Sequence, residues 1–339
     1  MKDLRSGSNL EKVLKSGHFA FTGECGPPKG ANVEHLKEKV SHLKGMVDAV
    51  NITDNQTAVV RMSSWAASTI LVQEGLEPNF QMVCRDRNRL AIQSDILGVY
   101  AMGVRNMLCL SGDHQIFGNH PQAKNVYDID SMQLIALVKK MRDEKKFMND
   151  EDIDVAPELF IGAASNPFAD PFEYRVHRLA KKIEAGAEFI QTQCIYNMEK
   201  FREFMKMAVD MGLHERCFIL AGVTPMKSVG MAQYMAKAVP GMDVPDSLIQ
   251  RLRGAGKGKI AAEGIKFAVG VDPSYLFLNR LCVLSGTELR ERAEEYGLQY
   301  DPEPPYFIEA TPDMTPDDIR RLESFSTALS AEHNLKIGR

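Results

Sequence analysis

The sequence predicts an α/β protein, a (β/α)8 TIM barrel with an atypical C-terminal extension, from three observations. Short apolar runs recur about every 30 residues, and amphipathic stretches separate them. The runs are continuous rather than alternating, as buried parallel strands are. Polar residues follow the runs at their C-terminal ends, where barrels of this kind place their active sites. A doubly wound open sheet has the same periodicity and remains an alternative at this stage.

The apolar runs predict seven strands in chain order. They cover residues 18–24, 48–53, 80–84, 106–110, 158–164, 188–193 and 217–222. The stretches between them have helical spacing; one example is the row Val33, Leu36, Val40 and Leu43, which ends before Gly45. The segment 128–146 is apolar on one face and basic at its end, which suits the helix dipole.

Composition narrows the class of protein. Of 339 residues, 44% are apolar and 25% are charged, which is ordinary for a globular chain. The net charge of −4 argues against a dedicated nucleic-acid surface. No run approaches the roughly 18 apolar residues of a membrane span, and residues 1–17 are too polar for a signal peptide. We therefore expect a cytoplasmic protein with neither a nucleic-acid nor a membrane partner.

The cysteines predict neither disulfides nor a metal centre. The chain has six cysteines and no CxxC motif, and five of the six lie on or just after predicted strands. Such residues are typically reduced and buried in the core of a cytosolic protein. No Cys, His or acidic residues recur at the spacing of a metal site, so we expect none.

Two regions are expected. Residues 1–270 are predicted to form the barrel, and residues 271–339 a C-terminal segment that supplies the last strand and closing helices. Within that segment, 275–286 has the pattern of either a strand or a helix, and the proline-rich stretch 301–306 predicts a rigid turn. Thr315 is predicted to cap a last helix.

Candidate functional residues stand at the ends of the predicted strands. They are Glu24, Thr53, Asp113, Asn166 and Gln193. Glu24 has apolar neighbours in sequence, and a carboxylic acid in such a setting has a raised pKa and can act as a general acid. The alternative is a structural glutamate that caps a helix or pairs with a lysine.

Several linked segments carry a family resemblance. They are GECGPPKG, DAVNITDNQ, QMVCRDRNR, NMLCLSGDH, GAASNP, KKIEAGAEFIQTQ and AGVTPM. In their order and spacing, residues 17–270 resemble methylenetetrahydrofolate reductases, most closely the form found in acetogenic bacteria. The resemblance implies a barrel that binds a flavin, FAD or alternatively FMN. It also implies reduction of 5,10-methylenetetrahydrofolate to 5-methyltetrahydrofolate in a ping-pong cycle.

The resemblance also implies roles for three residues. Glu24 corresponds to the catalytic acid, which protonates the departing nitrogen as the folate ring opens to an iminium cation. Asp113 is expected between flavin and folate, where a carboxylate holds the pterin amino group and stabilises that cation. Gln193 is expected to bind the tetrahydrofolate substrate or a nicotinamide amide. The structural alternatives are an Asx-turn for Asp113 and an ordinary buried amide for Gln193.

Cofactor contacts are implied for a larger set of positions. They are Thr53, Gln81, Ser111, Gly112, Asp113, Tyr127, Asp128, Ala163, Asn166 and Lys182. The resemblance places Thr53 at the flavin ring, Tyr127 and Asp128 near the ribityl and ribose, and Lys182 near the phosphates, where a cation neutralises charge. Gly112 would let the backbone approach the ring.

Some positions depart from the family pattern. Gln81 replaces a histidine, and Ser111 replaces an arginine. Met231 and Met235 replace a glutamine and an aromatic residue that hold NADH in other members, although Tyr234 is adjacent. The electron donor is therefore either NADH or a partner electron-transfer subunit, such as the zinc-containing second subunit of acetogen-type relatives. We also expect an oligomer of undetermined order.

Alternatives remain open on sequence grounds. The basic run 85–89 is either an anion site, for a phosphate or the polyglutamate tail of folate, or the solvated start of a helix. The basic loop 251–259 is either an anion site or a contact for a partner subunit. For the whole chain, a flavin-free pterin-binding barrel that transfers methyl groups to a corrinoid partner, or a non-catalytic barrel subunit, also fits.

Overall fold

The computed structural model describes residues 4–239, 241–256, 259–269, 294, 299–300 and 308–310. The chain divides into two compact units, Met1–Ala268 and Val269–Arg339. In the second unit the described strands β8 (Gln299–Tyr300) and β9 (Ile308–Ala310) form an antiparallel pair. The predictions for the segment 275–286, for the turn 301–306 and for a helix after Thr315 lie outside the described residues.

The first unit contains a single parallel sheet whose strand order follows the chain. Its strands are β1 (Thr22–Cys25), β2 (Ala49–Ile52), β3 (Pro78–Val83), β4 (Asn106–Leu110), β5 (Phe160–Ser165), β6 (Phe189–Cys194) and β7 (Phe218–Gly222). The order never reverses, which excludes the doubly wound alternative and confirms the predicted (β/α)8 class. Among the described residues, no strand pairs with the outer edge of β1 or β7.

Helices follow the strands as the periodicity predicts. They are α1 (Asn9–Lys15), α2 (Val33–Ser41), α3 (Ser64–Gln73), α4 (Arg89–Ala101), α5 (Ser131–Asp143), α6 (Tyr174–Ala185), α7 (Met198–Asp210), α8 (Val229–Ala238), α9 (Asp246–Gly254) and α10 (Ile260–Val269). Side-chain caps begin several of them: Asn32, Asn88 and Asn197 each accept a backbone N–H of the first turn. These caps fix where the loops after the strands end.

The core has an outer and an inner part. Outward-facing strand residues such as Phe80, Met107 and Ile161 pack against the surrounding helices. Inside the sheet, the rings of Phe160 and Phe189 stack with centroids 4.9 Å apart. A Cβ on Gly162 would lie 2.2 Å from the Phe189 ring, so glycine is required for this interior packing.

Helix α1 is held by a buried carboxylate. The side chain of Glu11 has no exposed surface and pairs with Lys15 at 2.6 Å. It also accepts backbone N–H groups from Arg5, Ser6 and Gly7. These hydrogen bonds outweigh its desolvation and lower its pKa to about 2. Leu10 of the same helix joins the interior cluster with Phe160, so α1 packs against the inside of the sheet.

The structure also shows the state of the cysteines and whether its helices could span a membrane. The five cysteines in the described part of the chain are free; four are buried and Cys194 is half-buried, which agrees with the prediction of reduced core residues. Cys282 lies outside the described residues. No helix that the structure describes has the length and apolarity needed to cross a bilayer.

Candidate active site at the carboxyl ends of the strands

The inner face of the first three strands is polar. Asn51 donates a hydrogen bond to the Thr22 hydroxyl at 3.3 Å, and Asn79 donates to the Asn51 side-chain oxygen at 2.7 Å. Side chains alternate along a strand, so the residue two positions on lies on the same face. The next inner positions, closer to the carboxyl ends, are Glu24, Thr53 and Gln81. Three predicted site residues therefore share the mouth of the barrel.

Glu24 lies at the end of β1 with a side chain that reaches solvent. Protein packed around the mouth desolvates its carboxylate and raises its pKa above the usual value, against a hydrogen bond from Gln56 that lowers it. Burial is the main cause that raises the pKa of the Cys194 thiol, and the negative charge of Glu24 raises this pKa further. Since β1 and β6 are not neighbours in the sheet, Glu24 acts across the mouth toward the end of β6.

The Thr53 hydroxyl is buried and has no hydrogen-bond partner in the described part of the chain. It lies under the loop after β1, because a Cβ on Gly26 would be 3.6 Å from the hydroxyl oxygen. Gln81 is 7% exposed, and within the described residues none of the hydrogen bonds involves its amide. Buried polar groups usually have partners, so both side chains are available to a ligand.

Asp113 contacts the loop after β2. Its Oδ2 accepts the backbone N–H of Thr57 at 2.9 Å. The turn that presents this N–H is left-handed at Asn55, Thr57 and Ala58, with φ of 42°, 57° and 55°. Such φ values are strained for residues other than glycine and persist only where neighbours impose them. Gly118 is one such neighbour, since a Cβ there would lie 1.8 Å from the Ala58 carbonyl oxygen.

Ser111, Gly112 and Tyr127 shape the start of the loop after β4. Gly112 has φ of +90°, and a Cβ there would be 2.9 Å from that of Val83, so glycine is required for this approach to β3. Tyr127 donates its hydroxyl to the Gly112 carbonyl at 3.3 Å. Ser111 is exposed, and its carbonyl accepts the Arg85 N–H at 3.1 Å. Glycine therefore serves close packing between β3 and this loop.

Gln193 ends β6 beside Cys194. Its side-chain oxygen accepts the Cys194 N–H at 3.0 Å, while its amide nitrogen has no hydrogen bond within the described residues. The Cys194 sulfur lies 3.1 Å from the Thr224 hydroxyl, in the loop after β7. The free amide donors of Gln193 thus stand at the same mouth as Glu24.

Lys182 of α6 is close to the end of β5. Its amine donates to the Ala164 carbonyl oxygen. Burial, and then the charge of Arg178, lower its pKa to about 8, against the opposing effects of Cys109 and Asp130. A partly desolvated cation of this kind is suited to bind an anion.

Three other predicted cofactor residues are used within the protein. Asp128 forms an ion pair with Arg89 at 2.8 Å, whose hydrogen bonds lower the pKa of the carboxyl to about 2. Asn166 donates to the Gly241 carbonyl at 3.0 Å and accepts the Phe168 N–H at 3.0 Å. Ala163 is fully buried on the outer face of β5, among residues that contact the helices. Their roles toward a cofactor stay predictions.

The basic run 85–89 is not a free anion site, and it ends at the start of a helix: Arg89, the first residue of α4, has a side chain that is 49% exposed. Its arginines each pair with a carboxylate: Arg85 with Asp86 at 2.7 Å, Arg87 with Asp54 at 2.6 Å, and Arg89 with Asp128 at 2.8 Å. The side chains of Arg85 and Arg87 are 3% and 14% exposed. Arg85 pairs with its neighbour in sequence, whereas Arg87 and Arg89 pair with carboxylates 33 and 39 residues away, which the local pattern does not reveal.

Met231 and Met235 lie on α8 and pack into an apolar cluster with Tyr196. The Tyr196 hydroxyl is 3.3 Å from the Met235 sulfur. Tyr234 points away from this cluster and is 62% exposed. The two methionines are therefore largely occupied by contacts within the chain.

Sequence analysis missed three residues of the site. Gln56 and Thr57 contact the two predicted catalytic carboxyls, and Arg85 contacts the loop of Asp113. Arg85 lies two residues after the end of β3, and the sequence showed it only as part of the basic run 85–89. Thr57 acts through its backbone N–H, for which the sequence has no signal. Among the described residues, no cluster of His, Cys, Asp or Glu is placed to hold a metal ion.

Comparison with known proteins identifies the family. The family model for methylenetetrahydrofolate reductase matches residues 9–273. The chain belongs to the methylenetetrahydrofolate reductase family. It is 26% identical over 262 residues to methylenetetrahydrofolate reductase 2 of Schizosaccharomyces pombe, a match that covers 73% of this chain and 39% of that protein. It is 25% identical over 238 residues to 5,10-methylenetetrahydrofolate reductase of Pectobacterium carotovorum, covering 68% of this chain and 72% of that one.

The family match covers only part of some relatives, and the match to a solved structure shows only the fold. The chain spans 39% and 36% of the lengths of the fission-yeast relative and of a Caenorhabditis elegans relative. A solved structure from Clostridium thermocellum, described as binding two copies of 5-methyl-5,6,7,8-tetrahydrofolic acid, has a TM-score of 0.54 and 14% identity to this chain. It covers 77% of this chain and 85% of its own, and at that identity the likeness shows the family's barrel fold alone.

Proposed function

We propose that this chain is a flavin-dependent oxidoreductase that reduces 5,10-methylenetetrahydrofolate to 5-methyltetrahydrofolate, with Glu24 as the general acid. One observation carries the proposal beyond family membership. The desolvated carboxyl of Glu24 lies at the barrel mouth and acts across it on the end of β6, beside Gln193. A carboxylic acid with a raised pKa, opposite an amide donor, is what opening of the methylene bridge requires.

The residues at the mouth also fit a flavin. The buried, unpaired hydroxyl of Thr53 and the unpaired amide of Gln81 are polar groups that a ring with several acceptors and donors would satisfy. Lys182 supplies a cation where phosphates would need one. When bound, a flavin would supply hydride to the methylene carbon. FAD is the expected form, with FMN as the alternative.

The contacts of the chain support a role for each of three residues. Glu24 gives its proton to the folate nitrogen that leaves the methylene carbon, so an iminium cation forms. Asp113 uses one carboxylate oxygen for the Thr57 N–H, and its Oδ1 has no hydrogen bond within the described residues. That oxygen is available to the pterin amino group, and its charge stabilises the cation. The amide nitrogen of Gln193 donates to the pterin.

The supply of electrons is the second part of the proposal. The ping-pong order requires a donor to act and leave before folate enters. The packing of Met231 and Met235 inside an apolar cluster leaves α8 without a stacking surface of its own at these positions. NADH and a partner electron-transfer subunit, including a zinc-containing one, are both compatible. A cytoplasmic location and an oligomeric state are part of the proposal.

The first test is the visible absorption spectrum of the purified protein, before and after chemical reduction and then after addition of methylenetetrahydrofolate. We expect a flavin spectrum that bleaches on reduction and returns with folate. A protein that binds folate but takes up neither FAD nor FMN would instead support methyl transfer to a corrinoid partner. A protein that binds neither would support a non-catalytic barrel subunit.

Replacing Glu24 by Gln tests the acid directly. The amide keeps the size of the side chain but has no proton to give, so we expect chemical reduction of the bound cofactor to be unchanged. We expect 5-methyltetrahydrofolate formation to fall at least about a hundredfold, the lower range for loss of a general acid. Single-turnover measurement of the methyl product gives the answer. Product formation at the parental rate would show that Glu24 is not the acid.

A further inference from the structure

One buried guanidinium joins the loops that carry the proposed folate site. The side chain of Arg85 is 3% exposed. It donates to the Asp113 carbonyl oxygen at 2.8 Å and to the Asn55 carbonyl oxygen at 3.2 Å. Those carbonyls belong to the loop after β4 and the loop after β2. Arg85 itself lies two residues after the end of β3, so one side chain connects the loops that follow three neighbouring strands.

The carboxylate of Asp86 holds the guanidinium in a fixed orientation. Asp86 accepts two hydrogen bonds from it, at 2.7 Å from Nε and 2.8 Å from the second terminal nitrogen. This two-point contact orients the planar group, which then presents its remaining donors to the two loops. Asn55 in turn hydrogen-bonds Asp86 through its side chain at 3.2 Å. Four of the five N–H groups are used in these contacts, and the 3% exposure of the side chain leaves little room for a free anion.

The loops that Arg85 joins contact both proposed catalytic carboxyls. The turn after Asn55 presents the Thr57 N–H to Asp113 at 2.9 Å, and Gln56 hydrogen-bonds Glu24. The left-handed conformations of Thr57 and Ala58 are strained, so the turn needs outside contacts to persist. The Arg85 bond to the Asn55 carbonyl is one of these contacts. Loss of the guanidinium would therefore free the turn and Asp113 at the same time.

We propose that Arg85 is a positioning residue for folate binding and reduction: it holds the turn after β2 and the loop of Asp113 in the geometry that aims the Asp113 carboxylate at the pterin. This inference rests on the proposed function. Arg85 does not touch the folate; it acts through Asp113. Lysine cannot replace it, because a single ammonium cannot make the two-point contact with Asp86 while reaching both carbonyls.

The test compares Arg85→Lys with Arg142→Lys. Arg142 is a matched control, because its side chain is 6% exposed, pairs with Asp143 and Glu188, and donates to the Leu159 carbonyl at 2.9 Å. That carbonyl precedes β5, so Arg142 lies at the opposite end of the strands. Both variants replace a buried guanidinium by an ammonium group, but only Arg85→Lys is expected to affect the folate site.

Two readouts separate positioning from stability. We expect Arg85→Lys to weaken binding of 5-methyltetrahydrofolate, measured by calorimetry, by about tenfold, and to slow product formation at saturating folate by a similar factor. We expect Arg142→Lys to lower the melting temperature and leave both quantities within about twofold of the parent. In an Asp113→Asn background, Arg85→Lys should weaken folate binding little further, since the two residues act as one unit.

Opposite results would overturn the inference. Parental folate affinity in Arg85→Lys, an equal loss in Arg142→Lys, or full additivity with Asp113→Asn would each do so. A parent protein that binds no folate would overturn the proposed function itself, a distinguishable result. Hydrogen exchange in the parent needs no variant: folate should slow exchange in peptides 55–60 and 111–118 together, and unchanged exchange in both would count against Arg85.

Discussion

At the scale of single residues, the proposed chemistry depends on Glu24 and its immediate partners. Desolvation raises the pKa of this carboxyl, and the hydrogen bond from Gln56 opposes the rise. The acid form is the active form in the proposed reaction, so Glu24 must remain protonated where the enzyme works. The pH dependence of product formation therefore reports the pKa of Glu24, which these two opposing effects set.

The rate of 5-methyltetrahydrofolate formation at saturating folate should fall as the pH rises through the pKa of Glu24, because deprotonation removes the acid. The descending limb should lie above pH 4.5, the ordinary value for glutamate. Gln56→Leu removes a hydrogen bond that favours the charged form, so the limb should move to higher pH. A pH profile of both proteins gives the result, and a limb that moves to lower pH in Gln56→Leu would contradict it.

The sequence pattern predicted the positions of some site residues but not the contacts of others. The strand-end pattern located Glu24, Thr53 and Gln193 at the mouth because each directly ends or follows a strand. It had no means of showing that Asp128 would be paired with Arg89, 39 residues away, or that Asn166 would hold the Gly241 carbonyl, 75 residues away. Such contacts depend on which loops meet, and local periodicity contains no such information.

At the scale of secondary-structure elements, α1 is the clearest case of a segment held by electrostatics. The charged form of Glu11 is stabilised by backbone N–H groups of residues 5–7 and by Lys15. Its lowered pKa means that the stabilisation is complete above the ordinary pKa near 4.5. The stabilisation is lost as the pH falls through about 2.

Glu11→Gln should lower the free energy of unfolding by about 2 kcal/mol at neutral pH, because hydrogen bonds to a charged acceptor are replaced by weaker or mismatched ones. The difference from the parent should shrink as the pH approaches 2, where Glu11 itself becomes protonated. Denaturant unfolding at several pH values measures this. Glu34→Gln is the control, since Glu34 is 83% exposed in α2. An equal effect of the two substitutions at neutral pH would contradict the prediction.

At the scale of the whole molecule, the prediction that remains to be tested is which segment closes the barrel. Seven strands are paired in order, and within the described residues the outer edges of β1 and β7 lack a strand partner. Unpaired edges of a buried parallel sheet are unfavourable. We keep the prediction that residues 271–339 supply the last strand.

Removing residues 271–339 should speed amide hydrogen exchange in peptides that cover β1 and β7, because their edge N–H groups would lose partners. Peptides from the central strand β4 should change little and serve as the internal control. Exchange followed by mass spectrometry on the full and shortened chains decides the matter. Equal exchange at both edges in the two proteins would show that the last strand does not come from this segment.

The sequence by itself determined the class of fold, the order of the seven strands and the end of the barrel where the polar residues gather. Those features follow from local hydrophobic patterns, which each segment carries alone. Only the tertiary structure decided which polar groups remain free for a ligand. Within the described residues, the Thr53 hydroxyl has no hydrogen-bond partner, Arg85 bonds two loops, and Asp113 accepts the Thr57 N–H. These outcomes arise from contacts between loops that follow different strands, and such contacts exist only once the sheet has formed.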